Sequence, residues 1–207
     1  MKTMKFFSVV GCMAAMFLTS CLNDDGDDSN TPLTKEQVAT CYNLVKGDHQ
    51  GDLIYAAKNP HDVKDNADTV KISWSITNDS TLIIRKFPTK LLAANLDKAA
   101  ATDELVEALS EAPDQDIECR IGFYATSPVS FLINPVSPAY NIKVNDVDHK
   151  INVVFYANSY VSRGEYYASD KELAMQIVEA VIYRDEKQTS YLNEAVPFIF
   201  VENLKSK

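Results

Sequence analysis

Val70, Ile72, Trp74 and Ile76 alternate with Lys71, Ser73, Ser75 and Thr77. Only an extended chain sends successive side chains to opposite faces, so this stretch predicts a strand with one dry face and one wet face. The alternation returns at Leu82-Ile84, Ile117-Cys119-Ile121-Phe123, Tyr140-Ile142-Val144 and Ile151-Val153-Phe155, with a shorter apolar run from Val129 to Ile133 between prolines. Turn signals at Ser127-Pro128, Asn134-Pro135, Ser137-Pro138 and Asn145-Asp146 separate these runs. A three-residue Asn78-Asp79-Ser80 loop sets Leu82 opposite Ile76 and Ile84 opposite Trp74, which keeps both strands' apolar residues on one side. Residues 160–168 (YVSRGEYYA) predict a further strand. Leu173 to Tyr183 fits both a helical and an extended period, but its two apolar faces and the Val196–Val201 run behind it favour a central hairpin strand.

Three segments break this rhythm. Thr34 and Gln37 have capping-box spacing, Leu33 and Val38 that of a hydrophobic staple, and Gly47 is placed as a terminator. They bound a helix over 35–46 that buries Val38, Cys41, Tyr42 and Val45 on one face. Thr89–Leu96 and Asp103–Ser110, rich in Leu, Ala, Glu and Lys, predict a helical insertion between strands. About nine short strands without repeated βαβ alternation point to a mainly β domain: an antiparallel sandwich or calycin-like barrel with an N-terminal helix and a short helical insertion. No linker divides the chain after residue 33, so residues 34–207 read as one domain.

The amino terminus carries an address. Lys2 and Lys5 precede an apolar run from Phe6 to Leu18, the pattern of a signal peptide over residues 1–20. As a helix this run reaches about 20 Å, short of the ~30 Å a permanent span requires. Leu18-Thr19-Ser20-Cys21 closes it and resembles the lipobox of bacterial lipoproteins. The resemblance implies that Cys21 becomes the first mature residue, its sulfur carrying a diacylglycerol thioether, so that the membrane is a partner through lipid. Residues 22–32 (LNDDGDDSNTP) are too polar to bury apolar surface and read as a tether. An acidic run at this position resembles the signal that exports lipoproteins of Bacteroidetes-type bacteria to the outer cell surface. A periplasm-facing outer-membrane anchor is the alternative.

With 20 Lys plus Arg against 29 Asp plus Glu, the chain has a formal charge of −9 and offers no field for a phosphate backbone. His49, His61 and His149 fall in no zinc or nucleophile motif, and no G-x-S-x-G occurs. Asp146, Asp148 and His149 form the densest ligand cluster outside the tether, in a turn where acidic residues ordinarily stay wet. Glu104, Glu107 and Glu111 have the spacing of a solvated helix face. No cofactor and no catalytic activity are expected. Cys41 and Cys119 both fall on apolar faces, where they are either a disulfide pair or two buried thiols. Tyr156, Tyr160, Tyr166 and Tyr167 cluster late in the chain and are the candidate ligand contacts, as a platform for sugar rings.

The layout of a helix running into KGDHQGDLIYAA and then the hairpin KISWSITNDSTLIIRKFP resembles small lipoproteins of gut Bacteroidetes-type bacteria grouped as domains of unknown function. The expected function is a lipid-anchored envelope protein that binds a glycan or a small apolar ligand without catalysis. The alternative is a structural or protein-interaction lipoprotein with no small-molecule site.

Overall fold

Each alternating run of the sequence is a strand in the computed structural model, which describes residues 32–56 and 67–203. The expected signal peptide, Cys21 and the expected tether up to residue 31 lie outside the described residues, as does His61. Helix α1 (Lys35–Val45) begins at the expected capping box, with Thr34 and Gln37 each bonding the other's backbone N–H. It buries Cys41 and Val45. Leu33 packs against the core beside it. Gly47, at φ +118, lies just past the cap residue Lys46 and starts the first strand.

Strands β1 (Gly47–Ala56), β2 (Ala67–Asn78), β3 (Thr81–Phe87), β4 (Gln115–Thr126) and β5 (Val129–Pro135) form an antiparallel meander. The sheet continues through β8 (Arg163–Tyr167), β9 (Glu172–Arg184) and β11 (Val196–Asn203). Because β11 pairs with both β9 and β1, eight antiparallel strands close into a barrel. The two predicted alternatives, sandwich and barrel, thus resolve to the barrel. Closure comes from a pairing between chain segments far apart in sequence, which periodicity cannot register.

Strand β9 is the hub. Residues 172–176 pair with β8 on one edge and residues 172–179 with β11 on the other. From Glu179 onward, around an extra residue, Ala180, it pairs with β7 (Val147–Phe155), which in turn carries β6 (Ala139–Val144). The two-residue β10 (Lys187–Gln188) folds back on the end of β9. Residues 160–168 are strand only from Arg163 to Tyr167, since the chain first turns through 160–162.

The predicted hairpin register holds, with Trp74 opposite Ile84 and Ile76 opposite Leu82. Its loop is tighter than expected: Asn78 pairs with Thr81 around Asp79-Ser80, and Thr77 is the extra residue of a bulge. A second bulge near the end of β3 puts Lys86 at φ 44 and returns Phe87 to the inside. Short helices α2 (Thr89–Ala93) and α3 (Asp103–Ser110) form the insertion; α2 stops before the predicted Leu96.

Trp74, Phe87, Phe131, Phe198 and Phe200 fill the interior, each contributing roughly 2–3 kcal/mol of burial. Phe87 meets Phe198 edge-on at 5.0 Å, and Trp74 meets Phe200 at 6.0 Å. Gly51 sits where the indole crosses β1. A Cβ there would lie 2.2 Å from the Val201 carbonyl oxygen and 2.8 Å from Trp74 Cη2, so no larger residue fits without a shift.

Candidate functional site

The four tyrosines expected to form a platform are dispersed. Tyr166 and Tyr167 are neighbours on a strand, so they face opposite ways. Tyr166 is buried at 8% exposure, and the Tyr167 hydroxyl donates to Glu165 at 2.8 Å. Tyr156 and Tyr160 are open at 45% and 62%. The ring that meets Tyr160 is Tyr124, edge-on at 5.3 Å. Tyr124 is the extra residue of a bulge between the pairs Phe123–Phe131 and Ala125–Ser130, so strand parity gave no signal for it. Beneath this pair Arg163 and Glu165 are both buried; Arg163 Nε donates to Glu165 at 3.0 Å and its Nη1 to the Tyr160 carbonyl at 2.7 Å.

A more enclosed arrangement lies on the outer wall of β1, β2 and β3. Because Ile72, Trp74 and Ile76 point inward, Ser73 and Ser75 form a low floor outside. Asp48 and Gln50 stand on one side of this floor and Arg85 on the other, lining a cleft of about 460 Å³. Ser75 Oγ donates to Asp48 Oδ1 at 2.7 Å. A second cleft of about 480 Å³ shares Asp48 and Ser75 and runs on to Tyr42 and Lys46 at α1. Together they make a trough that is polar at the Asp48–Arg85 end and more apolar toward the Tyr42 ring.

The fold orients the banks of this trough. The β3 bulge lets Asp116 accept from both the Lys86 N–H at 2.8 Å and Arg85 Nη1 at 2.9 Å, which holds the guanidinium over β3. These two bonds, the backbone N–H first, keep the Asp116 carboxyl below its ordinary range. The Tyr42 hydroxyl donates to the Thr77 carbonyl at 3.0 Å, anchoring the ring, and Lys46 Nζ donates to Asn43 Oδ1 at 2.8 Å. Sequence reading missed the trough because serines, Asp48 and Gln50 on a wet face carry no pattern. The available signal was two serines flanking Trp74, too small to level the outer surface.

His149 does not join Asp146 and Asp148. Its Nδ1 lies 2.7 Å from Asp185 Oδ2, and Arg184 Nη2 approaches its Nε2 at 2.6 Å. The Lys150 backbone N–H and this imidazole, in that order, lower the Asp185 carboxyl. Among the described residues no three His, Cys, Asp or Glu side chains converge as a metal site. Cys41 and Cys119 are both buried free thiols with different neighbours: Cys41 Sγ lies 3.8 Å from the Ala125 carbonyl and Cys119 Sγ 3.7 Å from that of Ile117. Burial raises both thiol pKa values, and the Glu118 charge adds to the effect at Cys119. Glu104 and Glu107 lie on α3 opposite its buried Leu105 and Leu109.

Residues 33–203 form an eight-stranded antiparallel barrel with a helix at one end, a helical insertion after β3 and an open trough on its wall. The chain belongs to the family described as Domain of unknown function (DUF4840), whose match covers residues 44–184, more than half its length. That stretch runs from the end of α1 through β9 and leaves β11 outside. Neither the curated proteins nor the solved structures contain a match.

Proposed function

We propose that this chain is a cell-envelope protein, anchored at the outer membrane through lipid on Cys21, whose barrel binds a glycan without catalysis. The trough carries the binding half of this reading. A carboxylate, an amide, two hydroxyls, a guanidinium and a phenol ring line one shallow groove, the mixture of donors, acceptors and stacking surface that a polyhydroxylated chain requires. Fully buried aromatic side chains in the barrel favour this polar wall over an apolar ligand held inside. Glycan-array binding and thermal shifts on the whole mature protein test it. Binding that is lost in Asp48→Ala and weakened in Tyr42→Ala is the expected result; no response to any glycan overturns it.

The anchor rests on the lipobox resemblance. Cys21→Ala is expected to abolish incorporation of labelled palmitate, and undiminished labelling would remove the anchor. Replacing Asp24, Asp25, Asp27 and Asp28 by Ala leaves acylation intact and reduces protease access on whole cells if the tether directs surface export. Unchanged access favours the periplasm-facing anchor. The alternative function, a protein-interaction lipoprotein, draws support from Leu44 on α1, Val136 in the loop after β5 and Val147 on β7, all large apolar residues that are exposed, and from β6, which among the described residues pairs with β7 alone. Cross-linking in the outer membrane would then recover a stoichiometric protein partner.

A further inference from the structure

Beside the trough, His49 of β1 ties the last turn of α1 to the barrel, adding to the Tyr42–Thr77 bond and the burial of Cys41 and Val45. Its Nε2 lies 2.9 Å from the carbonyl oxygen of Val45, the last residue of α1, and its Nδ1 lies 2.5 Å from Glu202 Oε2 on β11. The imidazole stacks on Trp74 at 5.8 Å and 11°, and His49 and Glu202 are both buried. The Val45 carbonyl is one of the final four of the helix, which have no donor within it.

Proton counting follows from these two distances. A carbonyl oxygen only accepts, so Nε2 carries a hydrogen. A neutral imidazole has a single N–H, so the contact between Nδ1 and Oε2 requires a second proton, on the ring or on the carboxyl. Both placements leave the pair with net charge zero, the state that burial favours. We infer that His49 and Glu202 hold this second proton jointly, and that it fastens α1 to the barrel and so positions the Tyr42–Lys46 end of the trough.

Removing the proton leaves one N–H between two acceptors. The carboxylate takes it, because a charge-assisted bond is the stronger of the two. Nε2 then turns a lone pair toward the Val45 carbonyl, and the last turn of α1 loses this tie while it keeps the Tyr42–Thr77 bond. The groups facing the ring are the Trp74 indole from β2, the Glu202 carboxyl from β11 and the Val45 carbonyl from α1. Opposite Glu202 on β9 stands the apolar Leu173, and the flanking charges Lys46 and Asp48 are exposed. His49 and Glu202 are therefore positioning residues for the trough, and α1 docking is sensitive to rising pH.

Amide exchange in α1, corrected for its intrinsic pH dependence, tests the latch on the whole protein. In the wild type, protection of residues 41–45 is expected to fall roughly tenfold as pH rises, the loss of the one hydrogen bond to the Val45 carbonyl. In Glu202→Gln the introduced amide donates to Nδ1, so a neutral ring keeps its Nε2–H on Val45 and protection stays flat. The same pH dependence in both proteins, or none in the wild type, overturns the latch. The link to ligand rests on the glycan reading of the trough, and glycan titration of the two proteins separates the two ideas. A split in exchange with no glycan bound leaves the latch standing and ends the functional reading. Glycan binding with flat wild-type protection does the reverse.

Discussion

Glu202 and Glu179 are both buried carboxyl groups on inward-facing positions of neighbouring strands, one at each end of the β9–β11 ladder. At the α1 end, Glu202 meets an imidazole. At the other end, Glu179 stands opposite Val196, and among the described residues neither of its oxygens has a hydrogen-bond partner. Desolvation alone raises its pKa from 4.5 to about 8. The same residue type thus meets two different surroundings in one barrel. A partner lets Glu202 share a proton, whereas isolation forces Glu179 to keep its own.

His49→Leu would break the comparison most severely, by leaving the Glu202 carboxyl buried without its imidazole. A loss of about 3–5 kcal/mol in urea unfolding is expected. The double variant His49→Leu/Glu202→Leu should recover most of it; an additive double loss would show that the two residues do not act as a pair.

Glu179→Gln should move stability the other way. With its folded pKa above its unfolded value, the native state holds a proton that the unfolded chain has released. The stability linked to that proton is complete below about pH 4.5 and is lost as pH rises toward 8. Over pH 4.5 to 7 this amounts to roughly 3 kcal/mol. The glutamine variant should be more stable than wild type at pH 7, with a flatter stability profile across that window. Asp116 and Asp185, whose carboxyls are lowered from 3.8, act on the acid side and do not contribute there. A profile that keeps its slope in the variant would show that Glu179 is not isolated.

Thr34→Ala gives the smallest effect and sharpens the contrast between the helices at the two ends. α1 begins with a reciprocal side-chain cap, whereas α2 begins at Pro88 with no side-chain cap bond. Removing the Thr34 hydroxyl should cost about 1 kcal/mol. Exchange should quicken in the first turn of α1 and remain unchanged in α2 and α3.

Most strands were legible because their buried residues are apolar and spaced by two, as at Ile72, Trp74 and Ile76. β1 was not, since the residues it turns inward before Leu53 are His49 and Gly51, which carry no hydrophobic period. His49 is inward for its proton chemistry and Gly51 for the room it leaves the indole. The bulges at Thr77, Lys86, Tyr124 and Ala180 were illegible for a related reason: each adds one residue and reverses the parity on which the reading depends. Two of them place surface side chains, Lys86 by bringing Arg85 to Asp116 and Tyr124 by meeting Tyr160. The tyrosine platform failed on simpler grounds, because proximity in sequence across Tyr166-Tyr167 means opposite faces in a strand.

Closure by the last strand also sets an order of assembly. Among the described residues β11 is the only strand that bridges β9 to β1, so the ring cannot form until β11 has been made. A nascent chain ending before Val196 has two open strand edges, on β1 and along residues 172–179 of β9, each a template for pairing with other molecules. Contacts between residues 52–55 and 198–201 give this closure a high contact order, so it belongs among the slower folding steps. During synthesis the chain therefore stays an unclosed meander until β11 is available, and a deletion that removes β11 would yield aggregation rather than a smaller barrel.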